Sequence, residues 1–133
     1  MPGSFFNTNV LVYLASEPAK AGRVRELLDV GGVISVQVLN EIANVIRRKL
    51  RFSWPETVDF LSLVRAFLSV IPITLDIHET GVRLAQRYTL SVYDGMIVAA
   101  ALASRCDTLW SEDMHDGLVV DDRLTIVNPF RLP

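Results

Sequence analysis

Glu41, Asp94 and Asp113 are acids at positions where an acid calls for an explanation. Glu41 lies three residues after Val38 and four before Val45, on the apolar stripe Val38, Ile42, Val45, Ile46 of a helical segment. Burying a carboxylate there is unfavourable unless a positive group compensates it. Asp94 opens the run Gly95-Met96-Ile97-Val98-Ala99-Ala100-Ala101-Leu102-Ala103, apolar nearly all round, so the helix it enters should be buried. Asp113 lies in the acid-rich loop Trp110-Ser111-Glu112-Asp113-Met114-His115-Asp116-Gly117, directly after a predicted strand. Asp116 and Glu112 are the alternates for the acid at that strand's end. Each acid has a structural explanation taken singly: a stripe-edge Glu reaching solvent, an acid favoured by a helix dipole, a solvated loop. Together they face one sheet edge, and carboxylates that share a pocket repel one another and bind protons. A hard divalent cation, Mg2+ or Mn2+, relieves that repulsion and keeps waters for substrate and nucleophile. Such a centre suits hydrolysis of a phosphodiester.

The elements that must position these acids start from Phe5-Phe6-Asn7-Thr8-Asn9-Val10-Leu11-Val12-Tyr13. This stretch reads as a central strand ending in a polar turn, with Asn9 or Thr8 capping the next helix. Ligands of open α/β sheets bind beyond the carboxyl ends of strands, which directs these polar side chains at the same site. Strands are predicted near Ser4–Asn7, Gly32–Ser35, Val70–Leu75, Thr108–Trp110 and Leu124–Val127. Helices are predicted near Val10–Ala15, Ala19–Asp29, Val36–Leu50, Pro55–Leu68, Ile77–Arg87 and Tyr93–Ser104. The alternation implies an α/β chain with a mostly parallel, five-stranded central sheet covered on both faces. Gly31-Gly32 supplies a helix stop, and Pro55 suits the first turn of its helix. No linker or repeat divides the chain, so residues 1–133 read as a single domain.

At 133 residues the chain is long enough to bury a sizeable core. A formal charge of −2 speaks against a generally basic nucleic-acid coat while leaving room for a local basic patch. Cys106 is the only cysteine, which excludes an internal disulfide and fits a reducing compartment. The chain begins without a signal core, and its longest apolar stretch, Phe60 to Leu75, is broken by Arg65 and Pro72. A cytoplasmic protein with no membrane partner is expected.

Four motifs stand in order: Phe6-Asn7-Thr8-Asn9-Val10-Leu11, Ser35-Val36-Gln37-Val38-Leu39-Asn40-Glu41, Tyr93-Asp94-Gly95-Met96-Ile97-Val98-Ala99-Ala100-Ala101, and Ser111-Glu112-Asp113. In them the chain resembles the PIN domains, and among these the VapC-type toxins of bacterial toxin–antitoxin pairs. The resemblance runs over essentially the whole chain, down to Val127-Asn128-Pro129-Phe130. It implies a three-layer α/β/α fold and a Mg2+- or Mn2+-dependent ribonuclease acting on structured RNA. Glu41, Asp94 and Asp113 would be its metal-binding acids, with Asp116 adding an outer contact and Thr8 and Asn9 orienting the site. A cognate VapB-type antitoxin is the implied partner, its carboxy-terminal segment lying across the site with a basic side chain among the acids. A homodimer is expected from the resemblance together with the apolar Pro55–Leu68 helix.

The chain departs from the family pattern at Asn7, where the first metal-binding acid should stand. Asparagine keeps the shape and one oxygen but loses the charge, and its amide N–H2 cannot ligate a cation. Metal affinity and hydrolysis are therefore expected to be weakened. An introduced Asp→Asn change that makes a toxic enzyme tolerable, or a naturally inactive member, would both give this residue. The alternative function is a PIN-like module that binds RNA or a peptide without cleaving. Arg47, Arg48, Lys49 and Arg51 form a cationic cluster that can touch an RNA backbone or simply favour a helix carboxyl end. His78 and His115 read as surface residues, Ser35 as a helix cap, and Trp54 as a packing residue at a helix entrance.

Overall fold

A computed structural model describes residues 3–131. Phe5 and Phe6 are sequence neighbours whose side chains point to opposite faces of a strand, and both are fully buried. Such a strand has to lie inside a sheet covered on both sides. It is β1 (Ser4–Phe6), bonded in parallel to β2 (Val33–Ser35) on one side and to β4 (Thr108–Trp110) on the other. With β3 (Ser69–Ile71), β5 (Val119–Val120) and β6 (Leu124–Val127), the sheet has the order β3-β2-β1-β4-β6-β5. All neighbours pair in parallel except β5, which runs antiparallel to β6.

Between the strands lie α1 (Thr8–Ser16), α2 (Pro18–Val30), α3 (Val36–Arg48), α4 (Trp54–Phe67), α5 (Leu75–Tyr88) and α6 (Val92–Ala103). The crossovers from β1 to β2 and from β2 to β3 step in one direction, and that from β3 to β4 steps back. Right-handed crossovers therefore put α1 to α4 on one face and α5 with α6 on the other. The packing agrees: α1 lies against α2 and α3, α3 against α4, and α5 against α6. Because α6 leads into β4, it starts at the carboxyl edge of the sheet.

The described residues form six strands where five were expected. The added β5 closes a hairpin through Asp121 and Asp122, both with positive φ, 49° and 56°. Asp-Asp is a weak signal for that turn, and a two-residue strand leaves little pattern to read. β3 ends at Ile71 rather than Leu75, because Pro72 has no N–H to donate and Thr74 caps α5 by accepting from Ile77 N at 3.2 Å. The cap of α1 is Asn7, not Thr8 or Asn9: its Oδ1 accepts from Thr8 N at 2.8 Å. Ser35 caps α3 as expected, Gly31 ends α2, and Pro55 sits in the first turn of α4. Among the described residues no helix is long and apolar enough to cross a membrane.

The position of α6 is set by a glycine contact. A Cβ on Gly95 would run into the carbonyl oxygen of Gly81 on α5, so both helices need glycine to approach this closely. Gly95 follows Asp94, so this crossing also fixes where that acid sits. Gly95→Ala should cost about 1–3 kcal/mol through overpacking. Gly22, in α2 with open space around it, is the control: Gly22→Ala should stabilise by up to about 1 kcal/mol. Chemical denaturation of the two variants beside the parent reads both values.

Candidate active site

The parallel order brings four segments to one edge, at the point between β1 and β4 where the crossovers change direction. Asn7 follows β1, Asp113 follows β4, α3 carries Glu41 away from β2, and α6 opens with Asp94. Together with Thr8, Asn9 and Lys49 they line a cavity of about 430 Å3.

Glu41 is held by both oxygens. Thr8 Oγ1 donates to Oε1 at 2.6 Å and Gln37 Nε2 donates to Oε2 at 3.0 Å. Gln37 Nε2 also reaches the Tyr93 carbonyl at 3.1 Å, which ties α3 to the start of α6. Asp113 accepts from Ser111 Oγ at 3.2 Å and from Asn7 Nδ2 at 3.5 Å. Asp94 lies in the first turn of α6, its own N–H bonded to Ser91 Oγ at 3.0 Å. Burial, and after it the charges of Asp113 and Glu41, pushes the Asp94 carboxyl above the usual carboxylate range.

Asn7 is buried and has no spare oxygen. Its Oδ1 caps α1, and its Nδ2 donates to Ser111 Oγ at 3.0 Å as well as toward Asp113. Turning the amide over would give up the cap and leave an N–H2 facing an N–H. The other donor atoms on the cavity are of the kind a hard cation takes: three carboxylates and Asn9 Oδ1, which is buried with no hydrogen-bond partner among the described residues. They line the cavity without closing into a cage. Among the described residues, no group of three His, Cys, Asp or Glu side chains could hold a metal ion as placed.

Asp116 lies apart, exposed, with Oδ1 accepting from Asn128 N at 2.7 Å and Oδ2 from Arg131 Nη1 at 3.4 Å. Glu112 is taken by Lys20 and Tyr13, whose hydrogen bonds hold its pKa down. That contact ties the loop bearing Asp113 to α1 and α2. The basic cluster divides. Arg47 donates to the Phe52 carbonyl at 2.6 Å and lies 4.1 Å from the Trp54 ring centre, while Lys49 stands on the cavity wall. Trp54 accordingly packs under Arg47 rather than in the core and is 64% exposed. His78 and His115 are both exposed, as read from the sequence. Ser111 and Gln37 also belong to the site and carry no charge that marks them in the sequence. Ser111 is the first residue beyond β4 and Gln37 lies one turn before Glu41, and those spacings were their only signals.

The fold and site are those of a parallel α/β protein with an acid-lined cavity at its topological switch point. The family model of the PIN domain matches residues 5–115, and the chain belongs to that family. Its fold is shared by a toxin–antitoxin complex from Klebsiella pneumoniae, at a TM-score of 0.74 and 22% identity over 97% of this chain and 99% of the other. It is shared by VapC20 of Mycobacterium tuberculosis, described as a toxin cleaving the sarcin–ricin loop (TM-score 0.68, 18% identity, 83% and 89% covered). It is shared too by VapBC2 of Rickettsia felis bound to a promoter DNA fragment (TM-score 0.68, 17% identity, 92% and 96% covered). Among curated protein sequences none matches this chain.

The raised pKa of Asp94 has a definite sign. The fold favours its protonated form, so this group contributes stability below the ordinary carboxylate pKa of about 4, lost as pH rises through the raised value. Asp94→Asn should therefore melt at a higher temperature than the parent at pH 7, with the difference shrinking toward pH 3. Melting curves across that range check it.

Proposed function

We propose that this chain is a VapC-type toxin: a Mg2+- or Mn2+-dependent ribonuclease for structured RNA, restrained by an antitoxin, with hydrolysis weakened by Asn7. The observation that carries the reading is the gathering of Glu41, Asp94 and Asp113 on one cavity, where burial, and after it the charges of Asp113 and Glu41, disfavours the ionised state of Asp94. The descriptions of the solved neighbours, a VapC toxin and two toxin–antitoxin assemblies, support the same class.

Glu41, Asp94 and Asp113 would hold the ion, with Asn9 Oδ1 beside them. When bound, such an ion lowers the pKa of a water and offsets charge on the phosphate. The chain's own part is positioning. Thr8 and Gln37 fix the plane of the Glu41 carboxylate, Ser111 fixes one oxygen of Asp113, and Gly95 places Asp94. Lys49 puts a positive charge on the wall where an RNA phosphate would arrive. An antitoxin's guanidinium fits the same acids, since it can pair with two carboxylates. The apolar residues of α4 left exposed, Val58, Leu63 and Phe67, support a homodimer as part of this reading.

An aspartate at position 7 would cap α1 with one oxygen and present the other to the cavity. Asparagine has a single oxygen, already used by Thr8 N. The same observation favours the second reading, a module that binds RNA or a peptide without cutting. Asn7→Asp separates the two. Cleavage of ribosomal RNA in Mn2+ should rise by at least about 10–100-fold, the usual scale for groups that organise a metal site. Equal measurable rates would show that position 7 is not a metal ligand, and no cleavage by either protein would favour the binding module.

A further inference from the structure

Glu41 is a partition between two cavities. On its far side lies a groove of about 640 Å3, bordered by Gln37, Asn40 and Asn44 of α3, Ile73 beyond β3, and Tyr93 at the start of α6. Gln37, Asn40, Glu41 and Asn44 follow the spacing i, i+3, i+4, i+7, so they form one stripe along α3. Asn40 and Asn44 are exposed, and among the described residues their amides take part in no side-chain hydrogen bond. Tyr93 is 69% exposed, next to Asp94 in sequence, with no ring or cation stacked on it among the described residues.

Charge decides what this groove can hold. Among the described residues, Glu41 is the only charged side chain on its wall, so the groove shows no cation for a phosphate and no second carboxylate for a metal. It offers an aromatic face, apolar walls and free amides, each both donor and acceptor, which is the chemistry that recognises an unstacked nucleobase. Lys49 and the acids lie on the opposite side of Glu41, where a sugar–phosphate backbone would run. We infer that the groove is a nucleobase subsite: a splayed base of the bound RNA stacks on Tyr93, and Asn40 and Asn44 read its edge. This rests on the reading of the chain as an RNA-acting PIN domain and adds the residues that choose the base beside the cut.

The test is fluorescence anisotropy with Mg2+ present, using a labelled single-stranded 12-nucleotide RNA of mixed sequence and the same backbone made abasic. Tyr93→Ala should weaken binding of the base-bearing strand about tenfold or more and leave the abasic strand unaffected. Tyr93→Phe, which keeps the ring, should bind within about twofold of the parent. Asn44→Ala should change the ranking of oligo-A, oligo-U and oligo-C rather than lower all three alike. Melting curves and helical content of each variant should match the parent, since these side chains are exposed. If RNA binds and Tyr93→Ala changes nothing, or weakens both strands equally, the subsite is refuted while the RNA reading stands. A groove whose variants spare RNA but weaken an antitoxin peptide is a peptide site, which also refutes it. If neither strand binds the parent chain, the subsite is refuted, and the RNA reading is judged by cleavage of ribosomal RNA by Asn7→Asp.

Discussion

Carboxylates that share a cavity repel, and the local structure around Asn7 is arranged to hold three of them there. Two oxygens of Glu41 and one of Asp113 are fixed by donors from four residues, Thr8, Gln37, Ser111 and Asn7. A hydrogen bond to a charged group contributes roughly 1.5–3 kcal/mol and works against the repulsion. What remains shows in Asp94, whose proton is held more tightly because of burial and the charges of Asp113 and Glu41. The topology makes this possible. β1, β2 and β4 run parallel and side by side, and α6 must begin where they end. Acids far apart in sequence therefore arrive at one edge without long loops.

Position 7 couples this site to the framework. Its backbone N–H bonds the Trp110 carbonyl at 2.9 Å, its Oδ1 caps α1, and its amide faces Ser111 and Asp113. A side chain at this corner has two duties, one toward the helix and one toward the cavity. Aspartate can meet both with oxygen; asparagine meets the second with N–H. Asparagine at this corner caps α1 and offers Asp113 a donor. A cation in the cavity would meet the N–H2 of Asn7, which cannot ligate it.

Much of this was legible before the structure, for physical reasons that differ by residue. Glu41 showed itself by sitting on an apolar helical stripe, and Asp94 by opening a helix too apolar to be exposed. The alternation of short β runs with helix-length crossovers carried the parallel sheet. What escaped was decided by tertiary partners. Asp116 looks equivalent to Asp113 in sequence, yet the Asn128 backbone and Arg131 occupy it. Arg47 looks like part of a basic patch until Trp54 and the Phe52 carbonyl take it. β5 is too short to leave a period, and Ser111 carries no charge that would mark it.

Under the proposed function, Glu41, Asp94 and Asp113 would hold a cation with an affinity limited by the amide at position 7. Calorimetric titration of Mn2+ into the parent chain and into Asn7→Asp, at one pH and ionic strength, tests it without RNA or antitoxin. Binding to Asn7→Asp should be about tenfold or more tighter than to the parent. Equal affinity in the two proteins would contradict the account, because position 7 would then have no part in holding the ion.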